Sequence, residues 1–361
     1  MAEEIDQLIA AIASTRQIRL PQFLRSVEGS AALAAELAEV LRAVDSGSPL
    51  LVSGSSQSAA VSNDLAIRGA EREIITGNTR AEVERIAATA ARDHDALIAV
   101  GGGRPIDVAK SAALIADLPV VIVPTQLSAD GIASPISVIA EAGGEVVSER
   151  SALPVAVVAD LETVAAAPIG FARAGVGDLL GNRSALVDWQ IAADAGADTV
   201  DDFAALLSSC ALLLIEGLDL TPLGRGELPI ELARRLLDGL VLSGLAMEIA
   251  GSSRPCSGSE HLISHSLDRL EPGTASHGEQ VAFGTLIATS LQGGDVVAVR
   301  ELIAAVGMNA ALSGFGLGAV RLADVIANAP ATRPGRHTVL DRERPSGQRL
   351  RELLAELIQL R

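Results

Sequence analysis

Residues 95–110 read DALIAVGGGRPIDVAK, and the reading of this stretch decides the fold. The unbroken apolar run from Ala96 to Val100 has the character of a strand buried on both faces, and it feeds directly into Gly101, Gly102 and Gly103. Pro105 then stands where a helix would begin, Asp107 falls in its first turn, and Lys110 follows. The same alternation recurs on either side. SPLLVSGSSQS (48–58) is a short apolar run ending in a Gly/Ser turn, Glu73–Thr76 (EIIT) is a second strand, and Ala81–Ala91 is a helix. PVVIVPT (119–125) and LPVAVVAD (153–160) are two further buried strands. Strands alternating with helices predict a Rossmann-like parallel sheet with helices on its faces.

The ends of the chain read differently. Leu8, Ile9 and Ile12, then Leu33, Leu37, Val40 and Leu41, keep a helical stripe, so the stretch up to about Val44 is expected to be helical. Beyond Pro168 the periodicity is helical throughout, as in DDFAALLSSCALLLIEGL (201–218) and ELARRLLDGLVLSGLAMEIAG (231–251). The expected organisation is a dinucleotide-binding α/β domain with N-terminal helices over 1–167, followed by an all-helical domain over 168–361 that binds metal and substrate. At 361 residues and 49% hydrophobic, the chain is long enough for both cores.

Charge and composition exclude several classes. A formal net charge of -17 gives no basic face for nucleic acid. No long uncharged apolar run suggests a membrane span, and the acidic start MAEEIDQL is unlike a signal peptide. Cys210 and Cys256 make neither a disulfide framework nor a Cys-type metal site. The expectation is a soluble, cytoplasmic protein. Lys110 is the only lysine in the chain, which suggests a position that needs an ammonium for function or for a buried salt bridge.

Two glycine-rich or small-residue loops follow buried strands. Gly101–Asp107 offers close backbone approach and a helix N-terminus to an anion, although it is neither G-x-G-x-x-G nor a P-loop and could be a tight turn alone. PTQLSADGIASP (124–135) is the second loop, and two such loops at one sheet edge favour a nucleotide. The second strand ends without an acid at Thr76–Thr79, which permits a 2′-phosphate, and Arg80 is a nearby cation.

Three of the five histidines fall in GSEHLISHSLDRLEPGTASHGEQ (258–280). His261 and His265 are four apart and share a helix face, while His277 lies in Ser276-His-Gly-Glu279, the S-x-x-E pattern of a helix start. Ordinary hydrogen-bonded histidines would read the same way without a carboxylate partner. AGVGDLLGNRSALVDW (174–189) offers Asp178 at a Gly-rich helix start; Asp188, ten residues on, is the competing carboxylate, expected mid-helix and solvated or paired with an arginine. His2Asp with an open fourth position is a catalytic arrangement for zinc, and Fe2+ could use the same donors.

VGGGRPIDVAK, PTQLSADGIASP, GVGDLLGNRSALVDW, GSSRPCSGSEHLISHSLD, SHGEQVAFG and RPGRHTVLD together resemble the sn-glycerol-1-phosphate dehydrogenase family. That family belongs to the superfamily of glycerol dehydrogenase, iron-type alcohol dehydrogenases and dehydroquinate synthase. The resemblance spans roughly residues 45–345, and GSSRPCSGSEH (251–261) marks the glycerol-phosphate branch. It implies a dehydroquinate synthase-like fold and metal ligation by Asp178, His261 and His277, with Zn2+ expected and Fe2+ or Ni2+ as alternatives. Asp178, His265 and Asp130 would be the catalytic residues in contact with substrate. Gly102, Gly103, Arg104, Pro105, Ile106, Asp107, Thr125, Gln126, Leu127, Ser128 and Ser134 would hold NAD(P)H. Ala129 stands where the family pattern carries a polar or histidine residue. The implied reaction is metal-dependent reduction of dihydroxyacetone phosphate to sn-glycerol 1-phosphate, with Arg254 and Lys110 as candidate phosphate ligands. The implied partners are a small phosphorylated polyol or ketone and further copies of the chain in a homo-oligomer, with neither nucleic acid nor membrane. A related polyol or alcohol dehydrogenase of secondary metabolism is one alternative. A dehydroquinate synthase-like cyclase (a lyase) is the other, disfavoured by Asp178 at the first ligand position and by the scarcity of lysine.

Overall fold

The computed structural model describes residues 20–144 and 146–358, and the chain divides into two compact units between Pro168 and Ile169. In the first unit, β1 (Phe23–Val27), β2 (Pro49–Gly54), β3 (Glu71–Ile75), β4 (Ala96–Gly101), β5 (Val120–Pro124) and β8 (Ala156–Asp160) form one parallel sheet in the order β1-β8-β5-β4-β2-β3. The helices are α1 (Ser30–Ala43), α2 (Gln57–Asp64), α3 (Arg80–Asp93), α4 (Gly103–Ala116) and α5 (Leu161–Ala165). Leu50, Leu51, Val52, Leu97, Ile98, Val121, Ile122 and Val158 are fully buried, as strands covered on both faces require. The strand order reverses between β2 and β4, so the loops beyond their carboxyl ends diverge there and leave a crevice, the place where open α/β sheets bind ligands.

Two sequence expectations need correction in this unit. Phe23–Val27 (FLRSV) is a strand, not part of a helical stretch: it pairs in parallel with β8 at the sheet edge. Its five half-buried residues carry no clear period, and the neighbour β8 imposes the extended form. Leu33, Leu37, Val40 and Leu41 do form the buried stripe of α1, whereas Leu8, Ile9 and Ile12 lie outside the described residues. Pro105 is the third residue of α4, with Gly102 as its N-cap, rather than the first. An antiparallel hairpin, β6 (Ile136–Ala140) with β7 (Val146–Arg150), also went unread in the sequence.

The second unit is built of helices: α6 (Ile169–Asp194), α7 (Asp202–Glu216), α8 (Thr221–Arg225), α9 (Ile230–Ala250), α10 (Ser259–Leu270), α11 (His277–Gln292), α12 (Val296–Val306), α13 (Asn309–Leu312), α14 (Ala319–Asn328), α15 (Val339–Glu343) and α16 (Gly347–Leu357). The middle of α6 is buried on nearly every side from Ala174 to Ala185, the signature of a central helix. Its contact with α11 is made backbone to backbone. A Cβ on Gly177 would collide with the Gly278 carbonyl, and one on Gly278 with the Ala174 carbonyl. A Cβ on Gly181 would come within 2.8 Å of Val281 Cγ1, and one on Gly284 would run into the Glu260 main chain of α10.

Gly278→Ala should therefore destabilise the protein by about 3 kcal/mol, because the obstacle is main chain and cannot rotate away. Gly170→Ala, at an open position of α6, should be neutral or stabilising by up to ~1 kcal/mol. Urea midpoints for the two variants check this; a Gly278→Ala cost under ~1 kcal/mol would mean that the helices separate easily.

Candidate active site

In the second unit α6, α10 and α11 bring Asp178, His261 and His277 to one point. Asp178 projects from α6 one residue after Gly177; His261 is the third residue of α10 and His277 the first of α11. Asp178 Oδ1 lies 3.5 Å from His261 Nε2 and 3.4 Å from His277 Nε2, and the three donor atoms are within 4.8 Å of one another. Two ligands bonded at 2.0–2.1 Å to a tetrahedral ion stand about 3.3–3.4 Å apart, so the donor set fits a divalent metal such as zinc.

The remaining ring nitrogens are fixed from behind. Glu260 Oε1 lies 2.9 Å from His261 Nδ1 and also accepts the Gly258 N–H, while Oε2 accepts from Ser184 Oγ at 2.7 Å. A carboxylate only accepts, so Nδ1 of His261 carries a proton, and Nε2 would give its lone pair to a bound metal in place of the proton it shares with Asp178. His277 Nδ1 lies 3.2 Å from Ser264 Oγ, whose own proton goes to Gln280 Oε1 at 2.7 Å, with Gln280 Nε2 donating in turn to Asp268 at 2.8 Å. The serine must accept from the imidazole, which again leaves Nε2 free for a metal. Such partners orient ligating histidines and raise their basicity.

Electrostatics follow from this packing. Burial alone would raise the Asp178 carboxyl, but hydrogen bonds and charge from His261 and His277 reverse that and hold it well below the usual range. Burial likewise opposes the charged form of His261, yet Asp178 and Glu260 lift its pKa to about 10. His265 sits beside both, its ring centroid 6.5 Å from that of His261. Burial lowers its pKa to about 3, assisted by the charges of His261, His277, Arg333 and Arg336.

Asp188 is neither solvated nor paired with an arginine, contrary to expectation. It is fully buried and accepts from the backbone N–H of Ser259 (2.6 Å) and Val339 (2.8 Å) and from Gln292 Nε2 (3.0 Å). Burial, then the nearby Glu260 charge, raises its pKa to about 6. It thus ties the first turn of the His261 helix to α6 and to the start of α15. Glu260, Ser264 and Gln280 escaped the sequence reading, and only Glu260, adjacent to His261, left a visible signal.

In the first unit the two loops interlock at the carboxyl ends of β4 and β5. Gly101 has φ 149°, where a side chain would be strained, and its carbonyl accepts the Thr125 N–H at 3.0 Å. A Cβ on Gly102 would overlap the Gln126 side chain, whereas Gly103 faces open space at the exposed N-terminus of α4 beside the exposed Arg104. Gln126, Ser128 and Asp107 are half-buried, and Thr125 is buried. Pro105, Ile106 and Leu127 are packed into the core, and Ser134 is buried with its hydroxyl 3.3 Å from the Ile136 carbonyl. Asp130 opens a short 3-10 turn over Asp130–Ile132.

Arg80 and Arg254 have roles other than those the sequence suggested, and Lys110 takes the structural one of its two. Lys110 is fully buried and donates to the carbonyls of Gly131 (2.9 Å) and Ile136 (2.6 Å), pinning the second loop to α4. Burial disfavours its charge and that of Asp107, and each charge supports the other. Arg80 is bound to Glu141 (2.7 Å) and Glu149 (2.6 Å), so it grips the hairpin rather than waiting for a 2′-phosphate. Arg254 is bound to Asp198 and to the His337 carbonyl. An acid does reach the end of β3, but Glu82 Oε1 is already taken by Thr76 N–H and hydroxyl, with Arg85 on its other oxygen.

The profile of the iron-containing alcohol dehydrogenase family matches residues 30–168. A probable glycerol dehydrogenase from Sinorhizobium meliloti superposes with a TM-score of 0.75 at 24% identity, covering 94% of this chain and 97% of that one. A sulfoacetaldehyde reductase from Bifidobacterium kashiwanohense, solved with NAD+, gives a TM-score of 0.71 at 17% identity, covering 95% of this chain and 97% of that one. The fold is thus that of these dehydrogenases, and the three donor atoms of the second unit fit a divalent metal. Glycerol-1-phosphate dehydrogenase [NAD(P)+] of Methanosarcina barkeri is 37% identical over 303 residues, covering 81% of this chain and 83% of that protein. The enzyme of the same name from Thermococcus kodakarensis is 35% identical over 337 residues, covering 91% and 95%. The chain belongs to the glycerol-1-phosphate dehydrogenase family. Among the described residues, no helix is long and apolar enough to cross a membrane.

Lys110→Met should cost about 3 kcal/mol of stability, since it strips two carbonyls of their donor and removes the charge that supports the half-buried Asp107. A denaturation midpoint equal to that of the unaltered protein would return Lys110 to a role in the reaction alone.

Proposed function

We propose that the protein catalyses the reversible NAD(P)H-dependent reduction of dihydroxyacetone phosphate at C2, giving sn-glycerol 1-phosphate. The observation that carries this reading is the convergence of Asp178 Oδ1, His261 Nε2 and His277 Nε2 at ligand spacing, in a chain whose relatives are named for that product. A divalent ion held there, with Zn2+ expected and Fe2+ or Ni2+ as alternatives, would polarise the ketone, while the reduced nicotinamide would supply the hydride to C2 and solvent the proton to the oxygen.

The chain's own residues prepare that chemistry. Glu260 and Ser264 keep the two Nε2 lone pairs turned to the common point. His265 would hydrogen-bond a substrate oxygen, and Asp178 and Asp130 would be the acidic residues in contact with substrate. Gly102, Gly103 and the N-terminus of α4, together with Gln126 and Ser128, offer backbone N–H and polar groups to the pyrophosphate.

Elemental analysis of purified protein should give about one divalent ion per subunit, falling below a tenth of that in His261→Ala and in His277→Ala, because three protein ligands leave no redundancy. Full occupancy in His261→Ala would refute the ligand set. For substrate, the specificity constant for dihydroxyacetone phosphate should exceed that for dihydroxyacetone by on the order of a hundredfold, as expected when buried cationic donors lose their anion. Equal constants would reduce the assignment to a polyol dehydrogenase.

A further inference from the structure

Residues 333–336 read RPGR and form a tight turn: Arg336 N–H donates to the Arg333 carbonyl at 3.2 Å, and Gly335 has φ 86°. Proline at the second position and a positive-φ glycine at the third are what a type II turn asks for. The turn brings its first and last residues together. Arg333 Nη1 and Arg336 Nη2 each donate to Ser253 Oγ at 2.9 Å, so two guanidinium groups crowd one hydroxyl. Arg336 also donates to the Ser257 carbonyl at 2.7 Å, and Arg254 of the same GSSRPCSG loop lies close by.

Like charges held this close repel, and the cost rises with burial. Arg336 is buried, and desolvation with the neighbouring charges of Arg333 and Arg254 brings its pKa down to about 9. Arg254 has its carboxylate in Asp198, 2.6 Å away. Among the described residues neither Arg333 nor Arg336 has one within ion-pair distance, in a chain where 45 acidic side chains outnumber 28 basic ones. Such a pair lacks an anion. Both guanidiniums also act electrostatically on His265, as do His261 and His277, and Arg336 is bound to Ser257, four residues before His261.

We propose that Arg333 and Arg336 form the subsite that takes the phosphate monoester of the substrate, with Arg254 as the buttress that fixes their loop. This deepens the reading of the protein as a reductase of a phosphorylated ketone and rests on it. A phosphate dianion matches two guanidinium forks in charge and in acceptor geometry, and it would relieve their mutual repulsion. Arg333 is exposed and can receive a ligand from solvent; Arg336, held by Ser253 and Ser257, supplies a preset second fork.

The test uses the metal-loaded enzyme and compares Arg333→Gln, Arg336→Gln and Arg336→Lys with the unaltered chain on dihydroxyacetone phosphate and on dihydroxyacetone, with NADH and with NADPH. Each Gln variant should lower the specificity constant for the phosphate ester on the order of thirtyfold and move the two ketones toward equal values. Competitive inhibition by inorganic phosphate should weaken in parallel, and Arg336→Lys should recover part of both losses. Because Arg333 is exposed, its variant decides the matter if Arg336→Gln does not fold. Unchanged preference for the phosphate ester in Arg333→Gln, or equal losses on both ketones, would overturn the subsite. A rise confined to the NADPH KM, with NADH unaffected, would assign the pair to the coenzyme and also overturn it. If the unaltered enzyme itself shows no preference for the ester, the proposed function fails, which is distinct from a preference that survives loss of the arginines.

Discussion

Everything in the second unit depends on how closely α6 and α11 approach. Where Gly177 and Gly278 meet there is no room for a single carbon, and Gly181 and Gly284 extend the seam toward Val281 and Glu260. A Cβ on Gly177 or Gly278 would meet main chain of the other helix and force the two apart, one on Gly284 would meet the main chain of α10, and one on Gly181 would press on the Val281 side chain. The glycines therefore set the 3.4 and 3.5 Å separations among Asp178, His277 and His261 as surely as the ligands themselves do. The cost is conformational entropy, since a mid-helix glycine is worth about 1 kcal/mol less than alanine. Full burial of the surrounding Val176, Leu179, Leu180 and Leu286 offsets it.

A second constraint is the handling of buried charge. Asp188 and Glu260 are both fully buried and near enough that the Glu260 charge raises the Asp188 pKa. Two buried acids are costly unless their oxygens are filled. Here they are filled by main-chain N–H groups at positions the site needs held: Gly258 and Ser259 at the start of α10, and Val339 at the start of α15. The same contacts that satisfy the acids thus fix His261 on one side and the segment after Arg336 on the other. Lys110 does the equivalent in the first unit with the opposite sign, using one ammonium to anchor two carbonyls of the loop that follows β5.

The sequence disclosed the elements whose signal is local. Buried strands such as LIAV and VVIV, the glycine turn after β4 and the helical stripe of α1 all declare themselves through period and composition. The metal-site histidines were legible because one pair sits at helical spacing and the third occupies a helix start marked by Ser276 and Glu279, which form a capping box in the structure. What stayed hidden depends on partners distant in sequence. FLRSV becomes a strand only because β8 lies beside it, 133 positions along from Phe23 at its paired residue Ala156. Asp188 looks like any mid-helix acid until Ser259 and Val339 fold onto it, 71 and 151 residues away. Arg80 shows the converse error: a cation near a ligand loop invites a functional reading, yet it is occupied by the protein's own carboxylates.

The arginines that serve the fold are satisfied in two ways. Arg80, Arg85 and Arg254 reach carboxylates, while Arg72 and Arg173 donate to main-chain carbonyls. Arg333 and Arg336 differ from both groups: their guanidiniums share one serine hydroxyl, and the charges of Glu260 and Asp198 only partly offset the desolvation and repulsion that Arg336 meets. The RPGR turn brings the two residues together, and Ser253 holds their forks side by side. A bound anion would relieve the repulsion that remains.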